Sequence, residues 1–94
     1  MKVKVDDLEI SVRDITYRQK KELQGEFADV YTNGTDKVKQ KEFNSLLASV
    51  AEIAFSNPSE FFKKYNYDIE LKILTQTMMD YLELSDQSKK VDGD

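Results

Sequence analysis

The apolar residues of this chain change their spacing near Thr16, from every second position to every third or fourth position. Over residues 2–12, apolar side chains alternate with charged or polar ones, which is typical of a β-strand with one buried face. The central Asp6-Asp7 pair indicates a turn. The pattern predicts a two-stranded hairpin whose apolar face needs cover from elsewhere in the chain. The predicted inward-facing residues are Val3, Val5, Leu8, Ile10 and Val12.

Beyond Thr16, helical spacing predicts three main helices and one short helix. Thr16 and Gln19 form a capping-box pair at the start of the first helix. Asn57 and Asp68 are expected to cap the third and fourth helices. The predicted helices span residues 17–31, 36–56, 58–65 and 69–84. The predicted fold class is therefore α+β, with an N-terminal β-hairpin packed on a small bundle of three main helices plus one short helix.

The length of 94 residues allows one small hydrophobic core. Residues 1–84 are predicted to form a single globular domain. Residues 85–94 are polar and charged, with Val91 as the single strongly apolar residue. We expect this segment to be a disordered tail, because it has little apolar surface to bury.

The composition argues against most enzyme classes. The chain has no histidine and no cysteine, so it lacks the commonest general base, the commonest metal ligand and a thiol nucleophile. No glycine-rich phosphate loop or calcium-loop spacing occurs. We therefore expect a protein that is not an enzyme and has no cofactor or metal. The net charge of −4 and short apolar runs favour neither nucleic acid nor membrane as a partner, and we expect a cytoplasmic location.

Two adjacent pairs, Phe61-Phe62 and Met78-Met79, place large apolar side chains on different sides of their helices. Neighbouring residues on a helix point about 100° apart, so both members of a pair cannot face one core equally. Two interpretations remain open: the second member fills a side gap in the core, or it belongs to an adaptable partner surface. The partner-binding hypothesis places a contact with a protein partner or a second copy at Phe61, Phe62, Met78, Met79 and Tyr81.

Two segments carry a resemblance to a known family. Residues 12–19 read VRDITYRQ and lead from a strand into a helix, and residues 79–85 read MDYLELS at the end of the last helix. The chain from Lys2 to Ser85 resembles the small tail assembly chaperones of long-tailed bacteriophages. In that family a strand leads into roughly "v-r-x-l-t-x-r-e", and the last helix ends in "l-e-l-s/n". The resemblance implies a non-catalytic protein that keeps the tape-measure protein soluble in the host cytoplasm while tail-tube subunits assemble around it.

The leading functional expectation is thus an assembly chaperone that binds a partner helix in the groove between the second and fourth helices. One alternative is a small structural adaptor that stays in a larger particle. Another is an inhibitor of a host enzyme. Loss from, or retention in, the finished particle distinguishes the first two roles, and capture of a host enzyme would favour the third.

Overall fold

The hairpin and the four helices are present in the computed structural model, which describes residues 1–30 and 40–84. The α+β fold predicted from the sequence is therefore confirmed. Its elements are β1 (Lys2–Val5), β2 (Leu8–Ser11), α1 (Tyr17–Val30), α2 (Gln40–Ala54), α3 (Pro58–Phe62) and α4 (Tyr67–Tyr81). The predicted end of the first helix at Tyr31, the predicted start of the second helix at Asp36 and the predicted tail 85–94 lie outside the described residues.

The hairpin has the register that the alternation predicts. Val3 lies opposite Ile10 and Val5 lies opposite Leu8 in the antiparallel pair. Asp6 adopts a φ of 54°, which lets the chain reverse over two residues. The apolar face is buried, while the alternate side chains remain exposed. Strand β1 packs against α4, so the hairpin obtains its cover from the last helix of the fold.

Helix α2 is central, as its broad apolar face predicts. It packs against α1, α3 and α4. Its buried side chains are Leu46, Leu47, Val50, Ala51 and Ala54. Helix α4 is consequently covered on two sides, by α2 and by β1. None of the helices within residues 1–30 and 40–84 combines the length and the apolar character needed to cross a membrane.

The helix starts are fixed by side-chain caps. The Gln19 N–H donates to Thr16 Oγ1 (3.1 Å), and the Thr16 N–H donates to Gln19 Oε1 (3.0 Å), which confirms the capping box. Asn57 caps α3 as predicted. The predicted cap of α4 at Asp68 is wrong, because Asn66 Oδ1 accepts from the Ile69 N–H at 2.9 Å and α4 begins two residues earlier than expected.

Two helix ends also differ from the prediction. Helix α3 ends at Phe62 rather than at Tyr65, because the chain turns there and the Tyr65 N–H donates to the Phe62 carbonyl (3.0 Å). Helix α4 ends at Tyr81 rather than at Leu84, because Glu83 adopts a left-handed φ of 60° that stops the helix.

Helix α2 ends at Ala54 rather than at the predicted Ser56. Arg13, in the connection between β2 and α1, caps this C-terminal end of the helix. The Arg13 backbone N–H donates to the Ala54 carbonyl (3.0 Å). Its guanidinium donates to three more carbonyls of the helix end, those of Glu52, Ile53 and Phe55 (2.5, 3.0 and 3.0 Å). These carbonyls have no partner inside the helix, and a cation is favourable at a helix C-terminus. Arg13, the "r" of the VRDITYRQ segment, therefore has a structural role.

Candidate functional site: the groove between α2 and α4

Three of the five residues in the partner-binding hypothesis lie in the core. Phe62, Met78 and Tyr81 retain only 7%, 3% and 2% of their exposure. The expectation that Phe62 and Tyr81 lie near solvent is therefore wrong. For Met78 and Tyr81 the physical reason is the second layer of cover on α4, since the hairpin packs on the side that a bare helical bundle would leave open. Phe62, on α3, packs edge-on against Phe55 instead, with ring centroids 5.2 Å apart.

The other two residues lie at the edge of the core. Phe61 is half-buried and stacks on Phe55, with ring centroids 4.3 Å apart and an angle of 18° between the planes. The Lys64 ammonium lies 5.5 Å from the Phe61 ring centroid on its accessible side. Met79 is also half-buried and packs against the core. Contact with a partner stays a prediction for Phe61 and Met79 only, and the five residues do not form one exposed surface.

An apolar concave surface lies between α2 and α4, where the sequence predicts the partner. It is an open groove of about 630 Å³. None of the five predicted residues lines it. The lining residues are Asn44, Leu47, Ala48, Ala51 and Glu52 from α2, Pro58 from α3, and Tyr67, Glu70, Leu71 and Leu74 from α4.

The floor of the groove is formed by buried apolar side chains. Leu47, Ala51 and Leu74 are buried, while Ala48 is exposed and Leu71 is half-buried on the sides. Ala48 and Ala51 lie three residues apart and so share a side of α2. Their methyl groups leave space that a leucine would fill. Small side chains at these two positions therefore contribute to the open space of the groove.

The rim of the groove is acidic and carries one aromatic ring. Tyr67, the first residue of α4, is 66% exposed. Glu52 and Glu70 supply the only charges among the lining residues. Within residues 1–30 and 40–84, neither carboxylate forms an ion pair or a hydrogen bond. The groove thus combines an apolar floor with two unpaired negative charges.

This lining suits non-covalent binding. It contains no hydroxyl nucleophile other than the Tyr67 phenol and no basic side chain. Across the part of the chain that the structure describes, no three acidic side chains converge as a metal site requires. The groove offers an apolar floor to an apolar side chain of a partner, and it offers a cation two carboxylates that have no ion pair among residues 1–30 and 40–84.

The sequence analysis anticipated the place of the groove but not the residues that form it. The partner-binding hypothesis was based on the pairs Phe61-Phe62 and Met78-Met79, which have large side chains. The groove is lined instead by small residues of α2, Ala48 and Ala51. The usable signal was the alanine pair Ala48 and Ala51 on the apolar side of α2, together with the exposed Tyr67 at a helix start.

Comparisons of the chain with protein-family models, with curated proteins and with solved structures found no match. Membership of the phage tail chaperone family is therefore a proposal, and the groove is the structural observation that supports a chaperone function.

Proposed function

We propose that this protein is a non-catalytic assembly chaperone that binds an apolar helical segment of a protein partner in the α2–α4 groove. The observation that supports the proposal is the groove itself, an accessible concavity of about 630 Å³ whose floor is buried leucine and alanine. Concave apolar surfaces of this volume are typical binding sites, and apolar surface left open to water usually marks an interaction.

The dimensions of the groove favour a helix as the occupant. On α2 the lining extends over eight residue steps, from Asn44 to Glu52, which corresponds to about 12 Å. On α4 it extends over seven steps, from Tyr67 to Leu74, or about 10 Å. Two turns of a partner helix have this length, and such a helix presents apolar side chains at i, i+3 or i+4, and i+7.

The proposed partner is the tape-measure protein of a long-tailed phage, in the host cytoplasm, as the family resemblance implies. The task is physically reasonable for this chain. A long protein with apolar helices needs temporary cover until tail-tube subunits surround it, and an acidic chaperone with a net charge of −4 keeps the complex soluble.

Coexpression with a tape-measure protein of a long-tailed phage tests the proposal. The wild-type chain should hold the tape-measure protein in the soluble fraction. Ala48→Glu places a charge on the apolar side of the groove and should abolish this effect. Ser45→Glu, an exposed position on the same helix outside the groove, is the matched control. Equal solubilisation by wild type and Ala48→Glu, with both folded by circular dichroism, would contradict the proposal.

Mass spectrometry of purified particles separates the chaperone from a retained adaptor. We expect the chain to be present with the tape-measure protein in lysates and absent from finished particles. A stoichiometric presence in finished particles would instead identify a structural subunit.

A further inference from the structure

We infer that the α2–α4 groove selects an arginine-bearing amphipathic helix, whose apolar side chains lie on the groove floor and whose guanidinium groups meet Glu52, Glu70 and Tyr67. This inference rests on the proposed function, because it takes the groove to be a helix-binding site. It adds the chemical class of the segment that binds there.

The first argument is the charge of the rim. Several exposed carboxylates of this fold have a lysine partner: Glu9 pairs with Lys2, Asp6 with Lys72 and Glu83 with Lys20. Glu52 and Glu70, on opposite helices, have none among the described residues. Lys63 and Glu70 both line a neighbouring depression, but they do not form an ion pair. A basic partner would neutralise both rim charges, and a partner with acidic flanks would be repelled.

The second argument is the position of the aromatic ring, which favours arginine over lysine. Tyr67 and Glu70 are three residues apart on α4, so their side chains share one face. A guanidinium can stack on an exposed ring while its N–H groups pair with a carboxylate in a planar fork. A lysine ammonium is a point charge without this planar geometry.

The third argument is the shape of the floor. The buried Leu47, Ala51 and Leu74 exclude water but offer no hydrogen-bond partner from their side chains. They suit leucine-like side chains on one stripe of a helix, and the lining also includes one glutamate from each helix, Glu52 of α2 and Glu70 of α4. The preferred ligand therefore has an apolar stripe two turns long with arginines beside it.

Fluorescence anisotropy with three synthetic helical peptides of about 16 residues tests the inference. All three carry leucines at i, i+3, i+4 and i+7. They differ only at the flanking positions, which are arginine, glutamine or glutamate. At about 30 mM salt the arginine peptide should bind roughly tenfold more tightly than the glutamine peptide, and the glutamate peptide should bind most weakly. The advantage of arginine should shrink at about 300 mM salt.

Variants that replace glutamate by glutamine test whether Glu52 and Glu70 cause the preference for the arginine peptide. Glu52→Gln combined with Glu70→Gln should remove the roughly tenfold preference, so that the arginine and glutamine peptides bind this variant with equal affinity. Asp7→Asn combined with Glu22→Gln makes the same change in net charge at exposed positions outside the groove, and should leave the preference intact. Tyr67→Leu should reduce the preference for arginine over an otherwise identical lysine peptide.

The outcomes separate this inference from the proposed function. Equal binding of all three peptides, lost in Ala48→Glu, would overturn the charge selection and leave helix binding in place. Binding of none would overturn both. A self-associated chain in sedimentation analysis that Ala48→Glu converts to monomer would identify a second copy as the occupant, and would also overturn the inference.

Discussion

Alkaline conditions should destabilise this protein through Tyr81. The Tyr81 hydroxyl donates to the Arg13 carbonyl at 2.5 Å, and the residue is 2% exposed. Burial raises the pKa of Tyr81 from 10.0 to about 12, while Arg13 lowers it and Asp14 raises it by smaller amounts. A tyrosinate could not donate this hydrogen bond, and its charge would lie among core side chains.

The size of the effect follows from proton linkage. Below pH 10 the phenol is neutral in both states and its contribution to stability is complete. Between pH 10 and pH 12 the unfolded chain releases the proton and the folded chain retains it, so stability falls. With pKa values of 10.0 and about 12, the loss is about 0.4 kcal/mol at pH 10, about 1.4 at pH 11 and about 2.3 at pH 12.

Urea unfolding at pH 7, 10 and 11, compared between wild type and Tyr81→Phe, measures this loss. Tyr81→Phe should cost about 1 kcal/mol at pH 7, because the Arg13 carbonyl loses its donor. The deficit should disappear near pH 11, since only the wild type carries the titrating phenol. Tyr67→Phe, at an exposed ring, is the control and should follow the wild type at every pH.

Parallel loss of stability by wild type and Tyr81→Phe between pH 7 and pH 11 would refute the reasoning. The common loss would then come from groups other than Tyr81. A spectroscopic titration in which all tyrosines of the folded protein ionise near pH 10 would refute it independently.

Three further substitutions test the fold by urea or thermal unfolding. Gly25→Ala should stabilise α1 by about 0.5–1 kcal/mol, because an added Cβ meets nothing within 4 Å; an unchanged or lower midpoint would show that the glycine has a role in packing or bending. Arg13→Ala should lower the free energy of unfolding by about 2 kcal/mol, because the C-terminal carbonyls of α2 lose their hydrogen-bond donors. Arg18→Ala, at an exposed position of α1, should lower it by less than about 0.5 kcal/mol, and equal effects of the two substitutions would argue against the cap. Asn66→Ala should cost about 1 kcal/mol, and Asn66→Asp should retain most of the stability; the opposite order would exclude capping by this side chain.

The elements that local signals encode were predictable from the sequence. The strand alternation fixes the pairing of Val3 with Ile10, and the Thr16–Gln19 capping box involves residues three positions apart. Both features depend on residues that lie close together along the chain. The cap of α4 was less certain because Asn66 and Asp68 are both good capping residues, and the backbone geometry decides between them.

The features that depend on distant parts of the chain were not predictable in this way. Tyr81 is buried because a hairpin some 70 residues earlier packs on α4, and no local pattern in residues 67–81 records that cover. The role of Arg13 depends on carbonyls about 40 residues away. The burial of Phe62, Met78 and Tyr81 was missed for the same reason. Exposure of a side chain is decided by which elements meet, whereas the sequence shows only that the side chain is apolar.

The packing of β1 on α4 sets an order of events during synthesis. The hairpin is complete at Ser11, but its covering helix ends at Tyr81, 70 residues later. At translation rates of about 5–20 residues per second, the apolar face of the hairpin remains without its cover for roughly 3.5–14 s. An isolated hairpin is marginally stable over that interval. The hairpin is therefore made before the helix that covers it and reaches its final structure only after α4 is complete, so its strands are exposed to wrong pairing while residues 12–81 are synthesised.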